Sequence, residues 1–291
     1  ISGPWRLSVW ESDSHPPSYV FSEEHGSEHS CPDERGISSI LMEILDKTAA
    51  TEVFIEHFVH AEEMVKPRQS KEKACSSESR QILNGLRLCL EVVKMTTTDH
   101  ASRIHFCDPR CDIVCVMPDG KVYEAIDAHV RQLQADNQVS DALLTMYEAF
   151  IHPLLSVVPD STNLRGRLSG SIKQARQVMT PDQLAFFDSM WKQDVVTSIR
   201  NLTTQYTAMH TAQDVSNITE FMAQYTRTIN KFMDTWLLAQ MFHSENTGMS
   251  ASVLYLGSLH SLNIEKYLER YGYRRASVHE SNNLAACLTI K

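Results

Sequence analysis

Apolar positions along this chain follow two different periods, and the switches between them divide it into elements. Short runs of β-favouring residues stand at Tyr19-Val20-Phe21, Val53-Phe54-Ile55, Ile104-His105-Phe106 and Val253-Leu254-Tyr255-Leu256. Runs of this length bounded by polar or turn residues predict buried strands, here over 19–23, 53–58, 103–107 and 252–256, with a fifth over 274–279. Between the early runs the spacing changes. Ile37, Ile40, Leu41, Ile44 and Leu45 predict a helix over 37–48, and Ile82, Leu83, Leu86, Leu90 and Val93 predict another over 80–95. Strand–helix–strand connections of this length predict parallel crossover units.

The middle of the chain, about 120–243, has almost no strand-like run and little glycine. Helical spacing recurs over 121–135, 138–158, 164–178, 181–212 and 214–243, with Thr180-Pro181-Asp182-Gln183 and Asp214-Val215-Ser216-Asn217 as helix starts. After it the strand–helix rhythm returns: Gly257 turns, 263–271 is a helix with Ser261 or Asn263 at its cap, and Gly272 stops it. Residues 1–18 carry Pro4, Pro16 and Pro17 and read as a polar arm. Two charged stretches, 26–36 and 60–79, read as loops. The predicted fold class is α/β: a mostly parallel sheet with flanking helices and a large all-helical insertion. The predicted organisation is an arm over 1–18 and a single α/β domain over 19–291.

Composition narrows the classes of function. A hydrophobic content of 42% over 291 residues supports a substantial core. A formal charge of -9 argues against a nucleic-acid backbone as the main partner. No apolar stretch reaches the roughly 18–20 residues that a membrane span needs. No signal-like segment opens the chain, which starts at Ile1 and reads as a processed or trimmed product. Seven cysteines, an odd number, do not suggest a disulfide framework. A reducing compartment, the cytoplasm, is expected. Cys107, Cys111 and Cys115 lie four apart, wider than zinc-binding pairs usually are, and read as small buried thiols.

The strand endings carry the candidate chemistry. The first runs into Ser22-Glu23-Glu24-His25-Gly26, the second into Glu56-His57, the third into Cys107-Asp108-Pro109-Arg110, and the fourth into Gly257-Ser258-Leu259-His260. In open α/β sheets ligands sit beyond the carboxyl ends of the strands. An imidazole there can act as general base, and a neighbouring carboxylate can fix its tautomer. The same groups can hold a divalent metal. Alternation sends Glu56 and His57 to opposite faces, and Glu56 is the one expected in the site. Arg110 can clamp a carboxylate or phosphate, and Asp108 can orient a histidine.

Ser22-Glu23-Glu24-His25 resembles the G-E-x-H motif that opens the erythromycin-esterase and ChaN-like proteins, with Ser22 in place of the family glycine. Gly257-Ser258-Leu259-His260 is similar to the G-x-x-H motif of the related TraB/Tiki group. The layout also resembles that of proteins of large DNA viruses. The resemblance covers roughly 19–118 and 250–280. It implies an α/β protein with a helical insertion that hydrolyses an ester or peptide bond of a small-molecule or peptide substrate. His25 would activate water, held by Glu23 or Glu24, while His260 and Arg110 stabilise the oxyanion. Glu56 and Asp108 would orient the histidines or join them around a divalent metal. Two rival readings stay open: a structural or interaction protein, such as a virion component, that binds protein partners through the helical insertion; and a metal or haem binder without turnover.

Overall fold

The computed structural model describes residues 5–23, 37–56, 100–107, 120–157 and 166–281. The chain divides into two compact units, 1–108 with 244–291, and 109–243. The described protein is mixed α/β.

The first unit is built on a six-stranded sheet. Its strands are β1 (Arg6–Glu11), β2 (Ser18–Glu23), β3 (Thr51–Ile55), β4 (Ile104–Phe106), β5 (Ala251–Gly257) and β6 (Arg274–Glu280). They lie in the order β4-β3-β5-β2-β1-β6. The pairs β4/β3, β3/β5 and β5/β2 are parallel, whereas β1 pairs antiparallel with both β2 and β6. The sheet is therefore mixed rather than purely parallel, and β1 is the strand that runs against the rest. Strand β1 lies within the stretch that reads as an arm. Leu7 and Val9 alternate with Arg6, Ser8 and Trp10, so β1 has the period of a strand. Its polar positions hide that period, because Arg6 and Ser8 are buried against a helix that satisfies them.

The pleat assigns each side chain to one of two faces. On one face Leu7, Phe21, Val53, Ile55, Ile104, Val253 and Tyr255 pack with Ile37, Leu41 and Leu45 of helix α1 (Ile37–Lys47). Their registers agree, since Leu7 faces Phe21, and Phe21 and Ile55 both face Tyr255. Arg103 donates to the carbonyls of Leu45 and Thr51, at 2.6 and 3.2 Å, and so satisfies the open end of α1.

The second face is polar where it meets the helix that follows β5. Arg6 forms a forked pair with Glu265, including Nη2 to Oε2 at 2.8 Å, and Ser8 Oγ donates to the same carboxylate at 2.5 Å. Burial alone would lower the Arg6 pKa. Hydrogen bonds and charge from Glu265, then from Glu280, outweigh that and raise it. Small serines let the helix approach closely, with Ser22 Oγ donating to Ser261 Oγ at 2.7 Å and Ser252 Oγ donating to Ser18 Oγ at 2.7 Å in the sheet itself.

At the amino ends of the parallel strands, His15 meets Glu245 at 2.6 Å and packs against the rings of Tyr271 and Tyr273, which also contact each other. Tyr273 donates its hydroxyl to the Pro16 carbonyl at 3.1 Å. Burial, and next the negative Glu245, push the Tyr273 pKa above the ordinary tyrosine value. The folded state therefore holds its proton more tightly than the unfolded chain does. The resulting stability is complete below about pH 10 and is lost as the unfolded phenol ionises above it. Tyr273→Phe is expected to flatten the fall of the urea midpoint between about pH 10 and 11; an unchanged slope there would contradict this reading.

In the second unit all described elements are helical. They are α2 (Gly120–Ala135), α3 (Val139–Met146), α4 (His152–Val157), α5 (Gly166–Val178), α6 (Pro181–Met190), α7 (Thr197–Ala212) and all but the last three residues of α8 (Ile218–Asn246). Thr180 and Gln183 form a reciprocal capping box on α6, with Pro181 in the first turn, as the local sequence predicts. Two π-turns, Tyr147–Ile151 and Trp191–Val196, join α3 to α4 and α6 to α7. Each places aromatic residues in the core: Phe150 packs edge-on against Phe221 and Tyr225, and Trp191 against Phe232. Among the described residues no helix is long and apolar enough to cross a membrane.

Candidate active site at the strand ends

The position of the site follows from topology. Strand β2 leads into α1, which packs on one face of the sheet on the way to β3. Strand β5 leads into helix α9 (Ser258–Arg270), which lies against the other face on the way to β6. Strands β2 and β5 are neighbours, and their connections run in opposite directions across the sheet, β2 to β3 beyond β5 and β5 to β6 beyond β2, on opposite faces. That is a topological switch point, and in open α/β sheets ligands bind beyond the carboxyl ends of the strands at such points. Glu23 and Gly257 are the paired residues at that end of β2 and β5.

Two polar pairs occupy it. Glu56 follows β3 directly, and its backbone N–H extends the ladder to the Tyr255 carbonyl at 3.0 Å. Its Oε2 accepts the Gly257 N–H at 2.6 Å, and its Oε1 faces His260 Nε2 at 3.5 Å. Glu56 is 3% exposed and His260 4%. The helix begins at Ser258, five residues before the predicted start, so His260 sits in its first turn and Gly257 is the cap. No side chain of the cap residue itself closes that end. The Glu56 carboxylate does so instead, where the helix dipole favours negative charge. A carboxylate held by a backbone N–H and turned toward an imidazole can fix the tautomer of that ring and stabilise its protonated form.

The second pair is Glu23 with Tyr255, whose hydroxyl donates to Glu23 Oε2. The pleat places it on the α1 face, two residues beyond Phe21, whereas Glu56 is one residue beyond Ile55 and turns to the α9 face. The two carboxylates expected to act together are thus divided by the end of β5. Tyr255 is absent from the sequence-derived candidates because it reads as strand core. Its signal is its position two residues before Gly257, on the face that Glu23 also takes.

Of the other expected residues, Glu24, His25, Asp108 and Arg110 lie outside the described residues. Cys107 is buried, its thiol donates to the His105 carbonyl at 3.6 Å, and its backbone N–H donates to the Ile55 carbonyl at 2.9 Å. Among the described residues no group of three or more His, Cys, Asp or Glu side chains is placed to hold a metal ion. Among the described residues Glu56 and His260 are two donors, where a zinc site takes three or four from its protein. Comparison of the chain with protein-family models, curated proteins and solved structures returns no match.

Proposed function

We propose that the chain is a hydrolase of ester or peptide bonds whose site lies beyond the ends of β2, β3 and β5, with the helical unit as an insertion in an α/β fold of the esterase/ChaN/Tiki type. The observation that carries this reading is the buried Glu56–His260 pair beside a topological switch point. Glu56 Oε1, 3.5 Å from His260 Nε2, holds that side of the ring, and the imidazole of His260 is the base. His260 takes a proton from water as the water adds to the substrate carbonyl, and returns it to the leaving group when the tetrahedral intermediate collapses. Glu56 stabilises the imidazolium formed between these steps.

Purified wild-type protein is expected to hydrolyse at least one member of an ester and peptide panel. His260→Gln is expected to lose about a hundred- to ten-thousand-fold of that rate, the share typical of a positioned general base, with its unfolding midpoint little changed. A folded His260→Gln that keeps the full rate would sink the proposal.

The depth of burial favours a second reading. Glu23 is 1% exposed and Glu56 3%, so the cluster can serve to fasten strand ends to α9 in a structural or interaction protein. That reading expects no turnover across the panel, and lower stability for both Glu56→Ala and Glu23→Ala.

A further inference from the structure

We infer that Ser258 is a positioning residue for the Glu56–His260 pair and that Trp5 acts through it. The inference rests on the reading of that pair as the working site. Because β1 runs against the other strands, it starts at the end where they finish, and this brings Trp5 to the switch point. The Trp5 N–H donates to the Ser22 carbonyl at 3.0 Å, and its carbonyl accepts the Ser281 N–H at 2.7 Å, so the residue is fixed between β2 and the end of β6. Its indole Nε1 then donates to Ser258 Oγ at 3.0 Å.

Ser258 Oγ in turn donates to the Glu23 carbonyl at 2.8 Å. A hydroxyl has one proton to give, so both of these bonds hold in a single orientation. The next links close the turn: Ser261 Oγ donates to the Ser258 carbonyl at 3.0 Å and accepts from Ser22 Oγ at 2.7 Å. The residue just before Ser258, Gly257, is the one whose N–H is held by Glu56. The first turn of α9 is therefore gripped from β2 and Trp5 through Ser258, and from β3 through Glu56 at Gly257, and His260 lies two residues beyond Ser258 in that turn. Releasing the Ser258 grip lets the turn move relative to Glu56, and the His260 tautomer loses its definition.

The test is the ring-nitrogen NMR spectrum of histidine-labelled protein, with His260→Gln identifying the His260 signals. Ser258→Ala is expected to change the His260 tautomer ratio by about fivefold, the change that one net hydrogen bond sets. Ser258→Thr keeps the hydroxyl and is expected to restore the wild-type ratio. Trp5→Phe keeps an aromatic ring without the N–H and is expected to move the ratio in the same direction as Ser258→Ala. Ser252→Ala removes a buried hydroxyl near the other end of β5 and controls for loss of stability alone; it is expected to leave the His260 signals in place. Unchanged signals in both Ser258→Ala and Trp5→Phe would overturn the inference, as would equal changes in Ser252→Ala. The spectrum needs no turnover. A protein without hydrolase activity would thus overturn the reading of the site while this positioning result stood or fell separately.

Discussion

Glu265→Ala is expected to lower the unfolding free energy by about 3–5 kcal/mol, the cost of removing one partner from a buried ion pair. The side chains of Arg6 and Glu265 are 5% and 6% exposed, so water cannot replace the missing carboxylate without opening the helix–sheet contact. Arg6 would keep Glu280, which it meets through Nε at 3.0 Å, but Glu280 is 56% exposed and weakly held. Ser8 would lose its acceptor as well, and Ser8 already receives the Trp10 indole N–H at 2.9 Å. Against a typical total of about 5–15 kcal/mol, the loss is a large share. Replacing both partners, Arg6→Met with Glu265→Leu, is expected to recover most of it, because no charge is then left unpaired. Urea unfolding measures both: the midpoint falls at nearly constant slope for the single variant and returns toward wild type for the double. A shift below about 1 kcal/mol for Glu265→Ala, the range of an exposed pair, would contradict the buried network.

Glu56→Gln is expected to be the most damaging conservative change to activity, by about a hundred- to ten-thousand-fold. The amide has nearly the same shape, and its oxygen can still accept the Gly257 N–H. Its nitrogen then takes the position 3.5 Å from His260 Nε2, where Glu56 Oε1 stands. That nitrogen only donates, so it favours the ring form with Nε2 unprotonated, the tautomer opposite to the one a carboxylate there selects. The negative charge that would stabilise the imidazolium is lost as well. Kinetic assays beside thermal unfolding separate the effects. A large loss of kcat/KM with a small change in Tm is expected, whereas a large fall in Tm with activity retained would point to the fastening role.

Strands β2 to β5 and helix α1 of the first unit and the helical runs of the second are readable from periodicity, because each apolar stripe matches one face of its element, whereas the predicted helix over 80–95 lies outside the described residues. What the sequence leaves out is what depends on pairing across long separations. Strand β1 escapes notice because Arg6 and Ser8 look like surface residues until Glu265, far along the chain, is placed against them. The central position of β5 between β2 and β3 is likewise a property of assembly. In the site, strand endings identify Glu23, Glu56 and His260 as residues, and chain order puts their strands at one end. The division of Glu23 from Glu56 by the pleat needs the register, which only the paired strands fix. The α9 start escapes for a different reason. Gly257 and Ser258 read as a turn, and the carboxylate that closes that helix end comes from β3.

The central claim is that Glu56 and His260 act as one proton-handling unit on a substrate. The measurement that addresses it most directly is kcat/KM for wild type, Glu56→Gln, His260→Gln and the double variant on the best substrate of the panel. The account predicts that the double variant is no slower than His260→Gln alone, since residues that work as a unit are lost together. Losses that multiply in the double variant would contradict it, as would a wild-type protein that turns over nothing.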